Sequence, residues 1–160
     1  MNKRKEQGFT IIEVVLVLAI AGLIFLMVFL ALPALQRGQR DTQRRNSLST
    51  FSAQISQYQA NNKGSVPATG AATATCATAP TSDQCFVTKY MQSNWTDPQS
   101  NAAFVRATND AAVDTATVAG TYFYSAGSVC NGESITTGGG RNFAVRMKLE
   151  GAGVACQDNK

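Results

Sequence analysis

A carboxylate at the mouth of an uninterrupted apolar run is the first chemistry this sequence offers. Glu13 is followed by Val14 to Leu32, 19 residues without a charge or a strongly polar group (VVLVLAIAGLIFLMVFLAL). A carboxylate bordering hydrocarbon is unfavourable to bury and marks a functional site by default. The bland competitor is an interfacial side chain that snorkels to water. The second reactive set is four cysteines, Cys76, Cys85, Cys130 and Cys156. No CxxC pair occurs and the chain has no histidine, so two disulfides of an exported domain are favoured over zinc ligation. Of the three connectivities possible for four cysteines, the reading adopted pairs Cys76 with Cys85 inside a loop. Cys130 with Cys156 then ties the last strand back across roughly 26 residues, worth about 3 kcal/mol by loop entropy.

The lack of histidine excludes Ser-His-Asp and Cys-His catalysis, His-ligated metals and an imidazole pH switch. No nucleophile and base stand together, and a non-enzymatic protein is expected. Asp97, Asp110 and Asp114 are candidate calcium ligands, read against the commoner case of solvated loop carboxylates. Asn94-Trp95-Thr96 matches a glycosylation sequon that arises often by chance. Trp95, Tyr122 and Tyr124 are read as core in preference to surface contacts. The formal charge is +4 over 160 residues, but residues 46–160 hold seven charges of each sign, so all of the surplus lies in 1–45. A neutral C-terminal region is a poor nucleic-acid surface, with Arg141, Arg146 and Lys148 as one small basic exception.

The elements that position Glu13 follow from the apolar run. At about 1.5 Å per residue, 14–32 spans nearly a bilayer core of roughly 30 Å, which reads as a transmembrane helix. A cleaved secretory signal fits the basic Lys3-Arg4-Lys5 start, yet the run exceeds a usual h-region, no small-x-small site follows, and Glu13 has no use there. Pro33 and Gly38 form a weak point in the helix. Helical periodicity then resumes at Leu48, Phe51, Ile55 and Tyr58, an apolar stripe that must face something. If helical throughout, Phe9 to Tyr58 makes a rod of about 75 Å. Between the two apolar stretches, QRGQRDTQRR is polar and reads as solvated, facing lipid headgroups or facing other subunits. Its arginines nearly balance the leader's charge, so the positive-inside rule does not decide orientation.

The basic leader, the hexapeptide Gly8-Phe9-Thr10-Ile11-Ile12-Glu13 and the unbroken apolar helix together resemble the class III signal of type IV prepilins and pseudopilins. The resemblance implies a membrane peptidase that cuts on the cytoplasmic side between Gly8 and Phe9 and then methylates the new amine. The leader is then 1–8, and Glu13 becomes the fifth residue of the mature chain. Glycine lets the backbone extend into a peptidase site. A buried Phe9 amine and a buried Glu13 carboxylate are each unfavourable alone and compensate one another, which makes a register device. The resemblance implies that the partner amine belongs to a neighbouring copy and that the stretch near Pro33 and Gly38 loses helicity on assembly. It also implies cytoplasmic ATPases and a membrane platform as partners. A Cys130–Cys156 bridge would in addition resemble the C-terminal disulfide region of many type IVa pilins.

Beyond the helix, Asn61 to Pro80 reads as a long surface loop. Phe86 to Met91 is a helical turn or a strand. An Asp97-Pro98 turn leads to a strand over Ala103 to Arg106, an order similar to that of short pilins and the major type II secretion pseudopilin. Thr121 to Tyr124 is a strand. Asn142 to Leu149 alternates Phe143, Val145, Met147 and Leu149 with Asn142, Ala144, Arg146 and Lys148, predicting one buried and one wet face. Thr136 to Gly140 is a flexible connector with no phosphate-loop ending. The expected architecture is α+β: leader 1–8, pilin-type helix 9–60, and a head over 61–160 with three or four antiparallel strands packed on the Leu48–Tyr58 stripe. The expected function is a structural subunit of a surface filament, serving adhesion, twitching motility or DNA uptake. The alternatives are a type II secretion pseudopilin and a monomeric membrane-anchored binding module.

Overall fold

In the computed structural model, which describes residues 8–70, 76–91, 95–151 and 153–160, the N-terminal sequence forms one helix, α1, Ile11–Asn61. The 51-residue helix contains Pro33 and lacks any run of turn-forming residues before its end. It stops where Lys63 and Gly64 take positive φ (56° and 80°), with the Gly64 N–H donating to the Gln59 carbonyl at 2.8 Å. Left-handed residues at a helix end satisfy carbonyls that the helix leaves open. The chain divides into two compact units, Met1–Arg37 and Gly38–Lys160. The leader, apart from Gly8, and Asn94 lie outside the described residues.

In the first unit, every described residue except Ala21 is exposed, and Leu16, Leu23, Phe25 and Phe29 have more than half of their surface open. An apolar helix that its own chain does not cover needs a solvent other than water or a partner.

The second unit buries the α1 stripe. Leu48, Phe51 and Ile55 lie against the three-stranded antiparallel sheet β1 (Tyr122–Ala126), β4 (Phe143–Lys148), β5 (Val154–Asp158), ordered β1-β4-β5. Phe51 sits within about 6 Å of four aromatic rings, those of Phe86, Trp95, Tyr122 and Tyr124. Trp95, Tyr122 and Tyr124 are therefore core residues. β2 (Ser128–Asn131) and β3 (Ser134–Thr137) form a separate hairpin. Its turn carries Gly132 at φ 64°, the first central position of a two-residue loop, where a side chain would be strained. Cys76 is bonded to Cys85 and Cys130 to Cys156, the latter joining the hairpin to β5.

Several expected elements differ. The strands number five among the described residues, not three or four. Phe86 to Met91 takes the helical one of its two readings: Phe86 ends α2 (Asp83–Phe86), and Val87–Met91 is a π-helix. Ala103 to Arg106 is no strand; it makes only isolated bridges, Thr96 to Ala103 and Arg106 to Tyr122. Its backbone meets β1 only through the bonds Tyr122 N–H to Val105 and Ala107 N–H to Tyr122, while the Arg106 side chain turns inward to Asp83 and lies over the Phe123 ring. Thr136 and Thr137 belong to β3, not to a connector. The wet face expected for β4 is covered as well, because the segment around α3 (Ala111–Asp114) packs over it. Ala144 is fully buried, and Arg146 is buried beneath Asp110 and Asp114 at the short helix α3 (Ala111–Asp114).

Candidate functional site

The chain enters α1 through Gly8, Phe9 and Thr10, all non-helical and exposed. Among the described residues nothing lies within 4 Å of where a Cβ would stand on Gly8, so none of their packing demands glycine there. Phe9 is 90% exposed. Thr10 and Glu13 then form a reciprocal cap. The Thr10 N–H and hydroxyl donate to Glu13 Oε2 at 2.9 and 2.8 Å, while the Glu13 N–H donates to the Thr10 hydroxyl at 3.4 Å. Two of the amides that a helix start leaves open are satisfied in this way. The Thr-x-x-Glu spacing was the available signal for this cap, and reading Glu13 only through its charge passes over it. Phe9, Val14, Val17 and Leu18 flank Glu13 along a shallow apolar groove on the helix surface. Downstream, α1 includes a window of mean hydropathy 3.2, none of it buried by the chain, long and apolar enough to cross a membrane.

Residues 3–29 match the family model described as the prokaryotic N-terminal methylation motif. The N-terminus thus carries a type IV prepilin-like signal, and together with the apolar helix it supports a type IV pilin-like or pseudopilin protein anchored in a membrane. No curated protein matches the chain, and no solved structure does.

The second unit holds the other candidates. The stretch QRGQRDTQRR is not simply solvated, because Arg40 and Arg44 turn onto the head. Arg40 donates two bonds to Glu150. Arg44, with no exposed surface, reaches Asp97 through Nε at 2.7 Å and Asp41 and Glu150 through Nη1 at 2.9 and 3.4 Å. Asp41 in turn accepts the backbone N–H groups of Glu150 and Gly151, both at 2.8 Å. Two guanidinium groups and three carboxylates thereby bind the first turns of α1 inside this unit to the Asp97 turn and the Glu150 turn.

The calcium reading is corrected by the same geometry. Asp97 is engaged by Arg44, and Asp110 and Asp114 by Arg146, so the three do not converge. Among the described residues no three His, Cys, Asp or Glu side chains are grouped to hold a metal. The small basic exception is no patch either: Arg146 is buried and paired, and the Lys148 ammonium donates to the Asp114 carbonyl at 3.1 Å.

Charge pairing has a consequence in acid. The Arg40 bonds hold the Glu150 carboxyl below its ordinary value of 4.5. Desolvation raises Asp97, but the bonds from Arg44 and from the Gln99 and Ser100 amides outweigh it and leave Asp97 lowered. A carboxyl lowered in the folded state contributes stability that is complete above the unfolded value and is lost as pH falls through the folded one. Asp83 is raised, chiefly by desolvation, against the Gly70 N–H and Arg106, and so contributes with the opposite sign. The expected result is a melting temperature that falls as pH drops below about 4.5 and falls less steeply in Glu150→Gln. Thermal melts across that window, followed by circular dichroism, check it; parallel slopes in the two proteins would contradict it.

Proposed function

We propose that this chain is a structural subunit of a type IV pilus-like surface filament, cleaved between Gly8 and Phe9, methylated on the new amine and assembled through α1. The observation that carries the reading is Glu13. It stands at the start of a helix whose apolar surface the chain leaves uncovered, five residues after an exposed glycine. Before assembly, membrane lipid solvates that surface, with the N-terminus cytoplasmic. In the filament, the helices of other copies replace lipid. Apolar packing supplies cohesion, and the pairing of the Phe9 amine with Glu13 of a neighbour sets register, since either charge buried alone is unfavourable. Cleavage removes Lys3, Arg4, Lys5 and Glu6, which leaves the remaining chain with a formal charge of +2. The role is structural, not catalytic. Prepilin peptidase, further copies of the chain and an ATP-driven assembly platform are its partners.

Mass spectrometry of the protein purified from its native membrane tests the reading. A mature chain beginning at methylated Phe9 supports it, whereas an intact Met1 supports a plain membrane anchor. Sheared surface filaments containing the chain then distinguish a pilus from a periplasmic pseudopilus.

A further inference from the structure

One face of the sheet packs on α1. The other, which carries Phe123, Arg146 and Val154, is covered by the stretch 108–119, which includes α3. Backbone bonds fasten this stretch at its two ends. The Ala107 N–H donates to the Tyr122 carbonyl at 2.6 Å, and the Gly120 N–H to the Lys148 carbonyl at 2.7 Å. Between them, among the described residues, the backbone bonds of 108–119 stay inside the stretch or reach the adjoining Thr121. Side chains hold the middle down. Val113, the one fully buried residue of the stretch, packs with Ala107, Phe123 and Val154. Arg146 on β4 pairs with Asp110 and Asp114, and the Lys148 ammonium donates to the Asp114 carbonyl. Beyond α3 even this hold lapses, because an open cavity of about 820 Å³ lies between 117–119 and the Asp97 and Glu150 turns.

We infer that 108–119 is a strap that opens as a unit while the rest of the head stays folded, hinged at Ala107 and Gly120 and latched by Val113 and Arg146. The latch is electrostatic in kind yet weak in sum. Asp110 and Asp114 keep 40% and 54% of their side-chain surface, so water already solvates them, and pairs so exposed contribute little. Closure also leaves the Arg146 Nε buried without a partner, a penalty that opening removes by hydrating it. Opening therefore gives up the burial of one valine, whereas unfolding the head gives up the whole core around Phe51. The open strap bares Phe123, Val154 and the Arg146 guanidinium, a mixed apolar and cationic face that the closed chain hides. This property belongs to the single chain and does not depend on filament assembly.

All four cysteines are in disulfides, so an introduced cysteine is the single free thiol and its labelling reads the opening. Val113→Cys, in the full chain in detergent micelles, is treated with a maleimide reagent. Val145→Cys is the matched control, the same substitution at a fully buried β4 position in the core beneath α1. Labelling at 113 is expected to run about tenfold or more faster than at 145. Adding Asp114→Asn speeds labelling at 113 by about threefold and leaves that at 145 unchanged. Melting curves report whether the head of each variant is folded. Should Val113→Cys unfold it, Val154→Cys, on β5 beneath the strap, reads the same opening from the sheet side. Equal rates under the strap and at 145 would overturn the inference, since Val113 would then be reached only by unfolding of the whole head. A rate under the strap that Asp114→Asn leaves unchanged would overturn it as well.

Discussion

Glu13→Ala is expected to be processed at Gly8 and Phe9 like the wild type yet to assemble into filaments at no more than about one hundredth of the wild-type level. The estimate follows from leaving an amine buried without its carboxylate at every subunit contact. The structure adds a second consequence, because Glu13 also completes the helix cap with Thr10. Glu13→Gln separates the two roles: its amide oxygen still accepts from Thr10, but it carries no charge to meet an amine. If charge pairing sets register, both variants fail to assemble. If capping alone matters, Glu13→Gln assembles normally. Immunoblots that resolve precursor from mature chain, alongside the yield of sheared filaments, read both steps. Wild-type filament yields from Glu13→Ala would refute the role assigned to the carboxylate.

Phe51→Ala is expected to destabilise the head by about 3–5 kcal/mol, the cost of removing a large buried aromatic and leaving a cavity. Phe51 has no exposed surface, and its ring lies 4.9 Å from that of Trp95 and 5.5 Å from that of Phe86. It touches both the sheet and the segments that lead away from α1, so little can collapse into its place. Such a loss is a large share of the roughly 5–15 kcal/mol that holds a typical domain together. Met27→Ala is the matched control. Met27 is 75% exposed in the described chain, so its removal leaves head stability unchanged. Denaturant unfolding followed by Trp95 fluorescence measures both. A shift below about 1 kcal/mol for Phe51→Ala would show that this ring is not the centre of the core.

Local patterns made much of this fold readable. Unbroken apolarity over 14–32 and the 3-4-3 spacing of Leu48, Phe51, Ile55 and Tyr58 follow directly from helical geometry, and α1 carries both. Alternation over 142–149 likewise located β4. The hairpin of β2 and β3 leaves little trace although Gly132-Glu133 marks its turn, because its strands are short, polar and mostly exposed. β5 was missed since Val154-Ala155-Cys156-Gln157-Asp158 has too few large apolar residues to alternate visibly. Ala103 to Arg106 has strand-like residues but makes only isolated bridges, since local propensity does not say whether a partner strand runs alongside.

The N-terminal signal, the membrane-length helix and the stripe that packs on the head were determined by sequence alone. Each depends on residues near one another in the chain, where spacing translates directly into a shared face or a shared end. The fate of the charges was decided only by tertiary structure. Arg44 and Arg146 look alike in the sequence as solvated cations, and both are buried, paired with carboxylates that lie far along the chain or on another element. Asp97, Asp110 and Asp114 look like possible cation ligands, and each already holds an arginine. The physical reason is that charge pairing depends on separation in space. Sequence separations of 53 between Arg44 and Asp97 and of 106 between Arg44 and Glu150 leave no local trace of it.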